Sequence, residues 1–189
     1  MQGSNDYKIY ELSEFTNDSS FPFFIQYGRH DNELFIHSHK DFSELTIVLS
    51  GEACHIVEDE KMPVKNGDVF IVHGDTKHGY TYTHNFRICN IMFREDYFNL
   101  KKYDISTMSG FQAIFYIEPG LVKNHHFTGR MTFEKEEFEQ VKATIAVMNN
   151  EYKQKKEGYK TFITSKFMEL LVRLSRIYKT NRDRGEDKI

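Results

Sequence analysis

One segment constrains the fold of this chain more than any other. His37 and His39 are followed by Glu44 after four residues and by Gly51 after six more. A second segment, 67–78, begins with glycine and ends with histidine. Histidines at positions i and i+2 project from the same face of a strand. Together with a glutamate and a later histidine, they would give a small barrel a donor set that suits Zn, Ni, Fe or Mn.

The region that contains both segments is composed of short apolar runs between turn residues. The turn signals are Gly51, Asp59-Glu60, Asn66-Gly67 and Gly74-Asp75. Close spacing of short strands is typical of a sandwich or a barrel, including the jelly roll. The predicted strands are 23–28, 33–37, 44–50, 53–58, 69–72, 79–83 and 87–94.

The apolar period changes after Arg130 and predicts an antiparallel pair of helices, 134–155 and about 160–180, separated by Gly158. In both, apolar residues recur at alternating intervals of three and four. Either the two apolar seams pack on each other and on the barrel, or one of them forms a homodimer interface. The seams consist of Phe138, Val141, Ile145, Met148 and Tyr152, and of Ile163, Phe167, Leu170, Leu174 and Ile177.

Composition excludes several classes of function. The net charge is -3 and the pI is about 6.3, which argues against direct nucleic-acid binding by this segment. Cys54 and Cys89 do not form a CxxC pair, so we expect reduced core thiols and a cytoplasmic location. No apolar run reaches transmembrane length, and no membrane association is expected. No Ser/His/Asp set, phosphate loop or nucleotide fingerprint is present.

The two histidine segments resemble the two-part signature of the cupin fold. The first fits at every interval, although Asp31 stands where the leading glycine is usual. In the second, His73 and Asp75 replace the usual proline and glycine, and Tyr82 replaces the trailing asparagine. The resemblance implies a mainly β chain with C-terminal α structure: a cupin-type double-stranded β-helix, or jelly-roll barrel, followed by a helical hairpin. It implies no required cofactor but a possible divalent metal on His37, His39, Glu44 and His78.

A cupin followed by a helical hairpin and a polar linker is similar to the N-terminal half of the arabinose-operon-regulator (AraC) family, and most of all to L-rhamnose operon activators. The resemblance implies a non-catalytic domain that binds a monosaccharide such as L-rhamnose and forms a homodimer through its C-terminal helices. It implies DNA contact only through a helix-turn-helix half that is absent from this sequence. The segments that carry it are 41–48, 67–73, 77–80 and 90–92.

The domain organisation follows from these patterns. We predict an N-terminal arm at 1–20, a cupin barrel at 21–131, a two-helix dimerisation hairpin at 132–180, and a linker at 181–189. The arm is polar and loose, but it carries apolar side chains that are available for packing: Tyr7, Ile9, Tyr10, Leu12 and Phe15.

Strand alternation predicts which side chains face the barrel interior. Residues that share a face with Glu44, with His78 or with Asn90 are the candidates. Sugar binding requires planar hydrogen-bonding groups and an apolar or aromatic platform. The predicted ligand-binding residues are His39, Glu44, Thr46, His78, Tyr80, Tyr82, Ile88 and Asn90.

The alternative function is a metal-dependent cupin enzyme of the sugar isomerase or dioxygenase type. The same four metal-ligand candidates motivate it, since such an enzyme needs a metal with open coordination positions. Glu44 would serve as a ligand or a base, and no second carboxylate obviously converges on it. A third interpretation is a stand-alone sensor that has no DNA-binding half.

Overall fold

Seven strands and four α-helices make up the part of the chain that the computed structural model describes, residues 7–32, 34–117 and 133–183. The predicted boundary at 131/132, the first six residues of the arm and residues 184–189 of the predicted linker lie outside this part. The strands are β1 (Lys8–Tyr10), β2 (Phe23–His30), β3 (Leu34–His39), β4 (Ser43–Val57), β5 (Glu60–Lys65), β6 (Val69–His73) and β7 (His78–Phe93).

The sheet is organised around two long antiparallel strands, β4 and β7. Its order is β1-β3-β7-β4-β5, with β2 paired to β7 and β6 paired to β4. The first half of β4 pairs with β6 and with the end of β7, whereas its second half pairs with β5 and with the start of β7. Both strands therefore bend from one side of the barrel to the other, which confirms the mainly β barrel with C-terminal helices.

Gly51 makes the bend in β4. Its φ is 74°, and a Cβ atom there would lie 2.3 Å from the carbonyl oxygens of His84 and Asn85. The prediction of separate strands at 44–50 and 53–58 is corrected, because this glycine bends one continuous strand and does not end it. The same correction applies to 79–83 and 87–94, since β7 continues through Asn85, whose φ is 49°.

Side chains of β4 lie in two separate apolar cores. Leu45 and Ile47 lie in the large cluster that includes the helices. Val48 and Ala53 belong to a second cluster inside the barrel, together with Tyr80. A strand that is buried on both faces requires apolar side chains at successive positions. The helices therefore cover one face of the sheet, and the other face surrounds the barrel interior.

The four α-helices are α1 (Glu95–Phe98), α2 (Ser109–Gln112), α3 (Lys135–Gln154) and α4 (Tyr159–Asp183). Helices α3 and α4 confirm the predicted hairpin, and α4 continues three residues into the predicted linker. Most residues of both seams are buried in the core cluster that the helices share with the sheet. The seams thus pack within the chain, and the homodimer remains a prediction. Within the described residues, no helix is long and apolar enough to cross a membrane.

The arm lies against the barrel. Strand β1 pairs in parallel with β3, so that Lys8 lies opposite His37 and Tyr10 lies opposite His39. A short 3-10 turn at Leu12–Glu14 follows, and Leu12 packs in a third cluster with Phe42 and Met92. The sequence pattern alone does not predict this strand, because its pairing partner is about thirty residues away.

Candidate functional site

A cavity of about 560 Å³ opens between the arm and the barrel strands. This volume lies within the range of small-molecule sites, which are typically about 300–1,000 Å³. The wall combines aromatic and apolar side chains with a few polar groups. It is formed by Tyr7, Lys8, Tyr10, Phe15, Gln26, Gly28, Arg29, His30, Leu34, Phe35, Ile36, His37, His39, Glu44, Asn90 and Met92.

Three buried histidines converge beside this cavity, and two of them, His37 and His39, line it. Their available ring nitrogens all lie within 4.8 Å of one another: His37 and His39 come from β3, and His78 comes from the start of β7. The Nε2 atoms of His39 and His78 are 3.2 Å apart. The Nδ1 atom of His37 lies 3.0 Å from the carbonyl oxygen of Phe35, to which it can donate. Register explains the convergence, since His37 pairs directly with His78 across the β3–β7 ladder.

Burial keeps these imidazoles neutral. It lowers the pKa of His39 to about 3, with repulsion from His37 as the second cause. It also lowers the pKa of His37, although the contact with the Phe35 carbonyl opposes this, and it holds the pKa of His78 well below the ordinary value. At neutral pH each ring therefore carries one N–H and one lone pair.

The geometry and chemistry of this group fit a divalent transition metal. Three neutral imidazoles are a common ligand set for such ions. Two nitrogens that share a tetrahedral ion at about 2.1 Å are about 3.4 Å apart, close to the 3.2 Å that separates the His39 and His78 Nε2 atoms. Among the described residues, the group with ligand atoms within 4.8 Å comprises the three histidines, and Glu44 lies outside it.

Glu44 instead belongs to a polar chain in the cavity wall. The Thr46 hydroxyl lies 3.2 Å from Glu44 Oε1 and 3.1 Å from Asn90 Oδ1. Burial raises the pKa of Glu44 to about 7, against the hydrogen bond from Thr46, which lowers it. Burial is the main cause that holds the pKa of Tyr80 well above its ordinary value, and the nearby Glu44 carboxyl is the second cause. The single hydroxyl hydrogen of Thr46 can be donated to only one of these two oxygens at a time.

The predicted ligand-binding residues fall into three groups. His39, Glu44 and Asn90 line the cavity. His78, Thr46, Tyr80 and Ile88 are buried behind its wall. Tyr82 is 76% exposed, which corrects its expected inward orientation. Its φ of 51° interrupts the alternation of β7, so that parity counted from His78 fails at this residue.

Several cavity residues are not among those predicted. Gln26 lies opposite Asn90 in the β2–β7 ladder and adds a second carboxamide to the wall. Both segments, 23–28 and 87–94, are predicted as strands, and their pairing would have identified Gln26 as a cavity residue. Tyr7, Lys8 and Tyr10 reach the cavity through the pairing of β1 with β3. No local sequence pattern indicates that contact.

Comparisons with known proteins agree with this geometry. Residues 25–92 match the family model described as a cupin domain. The chain is 29% identical over 85 residues to the HTH-type transcriptional activator RhaR of Escherichia coli (strain K12), across 45% of this chain and 30% of that protein. The chain thus matches about a third of that relative's length.

Solved cupin structures are also similar. A cupin-2 domain containing protein from Shewanella frigidimarina is 20% identical, with a TM-score of 0.36 over 42% of this chain and 74% of that one. The nucleoside dehydratase Pac13 is 14% identical, with a TM-score of 0.35 over 38% of this chain and 59% of that one.

Proposed function

We propose that this chain, whose residues 25–92 form a cupin domain, is the ligand-sensing and dimerisation part of an AraC-type transcriptional regulator. The observation that carries the proposal is a cavity whose wall includes residues of the chain's own N-terminal arm. The effector is a monosaccharide, with L-rhamnose the first candidate. The protein acts in the cytoplasm as a homodimer through its C-terminal helices, and DNA is bound by a helix-turn-helix part outside these 189 residues.

The cavity wall suits a neutral, hydroxyl-rich ligand. Gln26 and Asn90 offer carboxamide groups, which both donate and accept hydrogen bonds. Phe15, Tyr10 and Met92 supply apolar surface against which the C–H faces of a sugar ring can pack. The two cations of the wall, Lys8 and Arg29, are paired with Glu14 and Asp31 at 3.1 Å and 2.8 Å. The carboxamides, which carry no fixed charge, favour hydroxyl groups over ions.

The arm connects the cavity to helix α4. Phe15 lies in the cavity wall, and three residues later Asp18 reaches the start of α4. The Asp18 carboxylate accepts a hydrogen bond of 2.8 Å from the Tyr159 hydroxyl and forms an ion pair of 2.8 Å with Lys160. Because the arm is held at both places, it links occupancy of the cavity to the position of α4.

The sugar acts by shifting the population between two arrangements of the arm. A sugar that contacts both the barrel and the arm stabilises the arrangement in which the arm covers the cavity. Because Asp18 links the arm to α4, the same arrangement favours one placement of α4 and of any domain that follows it. No bond in the ligand is made or broken, and the domain is not an enzyme.

The three-histidine group favours a second candidate, a metal-dependent cupin enzyme. A bound metal would supply Lewis-acid chemistry. His37, His39 and His78 would hold it, and Glu44 would lie in the wall of the same cavity as a proton-exchanging group. Its pKa of about 7 suits such a role near neutral pH.

Calorimetry with purified protein and a panel of neutral monosaccharides that includes L-rhamnose tests the proposal. We expect saturable binding by one or a few sugars and roughly tenfold weaker binding by Asn90→Ala, because one ligand hydrogen bond is lost. Asn150→Ala is the matched control, since Asn150 is exposed on α3. If no sugar in the panel binds, the sugar assignment fails. Turnover of a bound sugar by the metal-loaded protein would instead favour the enzyme.

A further inference from the structure

A fourth histidine touches the three-histidine group. The Nε2 atom of His55 lies 3.5 Å from Nδ1 of His78, on the side opposite His39. His55 is 2% exposed. Its ring packs against Phe70, with centroids 4.3 Å apart, and against Tyr80, with centroids 4.8 Å apart. These contacts restrict the ring, whose Nε2 faces His78.

This contact bears on which nitrogen of His78 carries the hydrogen. A neutral imidazole has one N–H, and the nitrogen that binds a cation must be the other one. If His78 is to offer Nε2 to a cation that it shares with His37 and His39, its hydrogen must lie on Nδ1. That hydrogen needs an acceptor, and His55 Nε2 is at the required place.

The other two histidines differ in this respect. His37 has an acceptor for its Nδ1 hydrogen in the Phe35 carbonyl, at 3.0 Å. The Nδ1 atom of His39 is buried and has no hydrogen-bond partner within the described residues. Two of the three rings thus have a group that can fix the cation-binding tautomer.

We propose that His55 is a positioning residue, which holds His78 in the tautomer whose Nε2 binds a divalent transition-metal cation together with His37 and His39. The inference is independent of sugar sensing, because it concerns the metal affinity of the apo protein. His55 lies on β4, outside both histidine segments that constrain the fold. The simpler role for His55 is to fill space beside two aromatic rings, and the substitutions below separate the two roles.

Cobalt(II) titration of protein freed of metal by chelation, followed by zinc(II) competition, measures the affinity directly. His55→Phe keeps an aromatic ring against Phe70 and Tyr80 but removes the acceptor, and we expect 10- to 100-fold weaker binding. His55→Gln restores an acceptor and should recover much of the loss. His84→Phe is the matched control, since it makes the same substitution at a histidine that is exposed on β7, and it should bind the metal as tightly as the wild type.

Nitrogen-15 NMR of the zinc-loaded wild type gives a readout that a space-filling role would not affect. We expect the His78 hydrogen on Nδ1 and coupling of that nitrogen to His55. This measurement decides the question even if the His55 variants do not fold. The proposal is overturned if the wild type binds neither cobalt nor zinc, if His55→Phe binds within twofold of the wild type, or if His78 binds zinc through Nδ1.

Discussion

Replacing Glu44 with glutamine should stabilise the protein above neutral pH. Glu44 is 3% exposed, and its pKa rises from an ordinary value of 4.5 to about 7 because burial penalises the carboxylate. Glutamine has the same shape and keeps an oxygen for the Thr46 hydroxyl at 3.2 Å, but it has no charge to bury. The comparison therefore isolates the cost of ionising this one group.

The size of the effect follows from proton linkage. Between pH 4.5 and 7 the unfolded chain has released the Glu44 proton while the folded protein retains it, so the stability of the wild type falls as pH rises. At about 1.36 kcal/mol per pKa unit, the difference between 4.5 and about 7 corresponds to about 3 kcal/mol. We expect Glu44→Gln to gain almost nothing over the wild type at pH 4, and about 3 kcal/mol above pH 7.

Urea denaturation at a series of pH values, in the presence of a chelator, measures this difference. The wild type and Glu44→Gln are compared at each pH, so that all other titrating groups cancel. Glu52→Gln, exposed on the same strand, controls for the substitution itself. A difference between the wild type and Glu44→Gln that stays constant from pH 4 to pH 8 would refute the reasoning, because it would mean that folding does not perturb this carboxyl group.

Three further predictions concern the bend, the arm and the buried histidines. Gly51→Ala should cost about 1–3 kcal/mol more in urea denaturation than Gly158→Ala, because both have positive φ but only Gly51 meets backbone oxygens at 2.3 Å; equal costs would contradict this. Asp18→Asn should lower stability by about 0.5–1 kcal/mol and speed proteolysis of the arm, since it removes the Lys160 ion pair. An unchanged rate of cleavage would mean that this ion pair does not hold the arm on α4. Burial lowers the pKa of His55 to about 3, so the wild type should lose about 1.4 kcal/mol more than His55→Phe as pH falls from 7.5 to 5.5; parallel pH profiles in thermal unfolding would exclude this cost.

Local patterns predict much of the fold and part of the site. The spacing of His37 and His39 places both on one face of β3, and the apolar intervals give two helices within a few residues of their observed bounds. Strand parity also holds for Glu44 and Thr46, because the first half of β4 is regular. These features depend on neighbours in sequence, which is the information that a sequence pattern contains.

The remaining features depend on pairing or on backbone distortion. Tyr82 turns outward because of its positive φ, and no residue type at that position signals it. Strand β1 exists only through its ladder with β3, so its three residues look like loop in the sequence. Strand β5 is not among the predicted strands, because Pro63 and its charged residues are unfavourable inside a sheet. It lies at the sheet edge, where proline is tolerated. Non-local contacts of this kind decide which side chains reach the cavity.

The two-sided burial of β4 has a mechanical consequence. Glu44 faces the cavity, and its neighbour Leu45 faces the helices, so a single backbone separates ligand from helix packing. A close-packed interior has little free volume to absorb a displacement of that backbone. Substitutions at Leu45 or Ile47, which touch no ligand, are therefore expected to alter effector affinity. A displacement of this strand would therefore couple the cavity to the helices directly, without the arm.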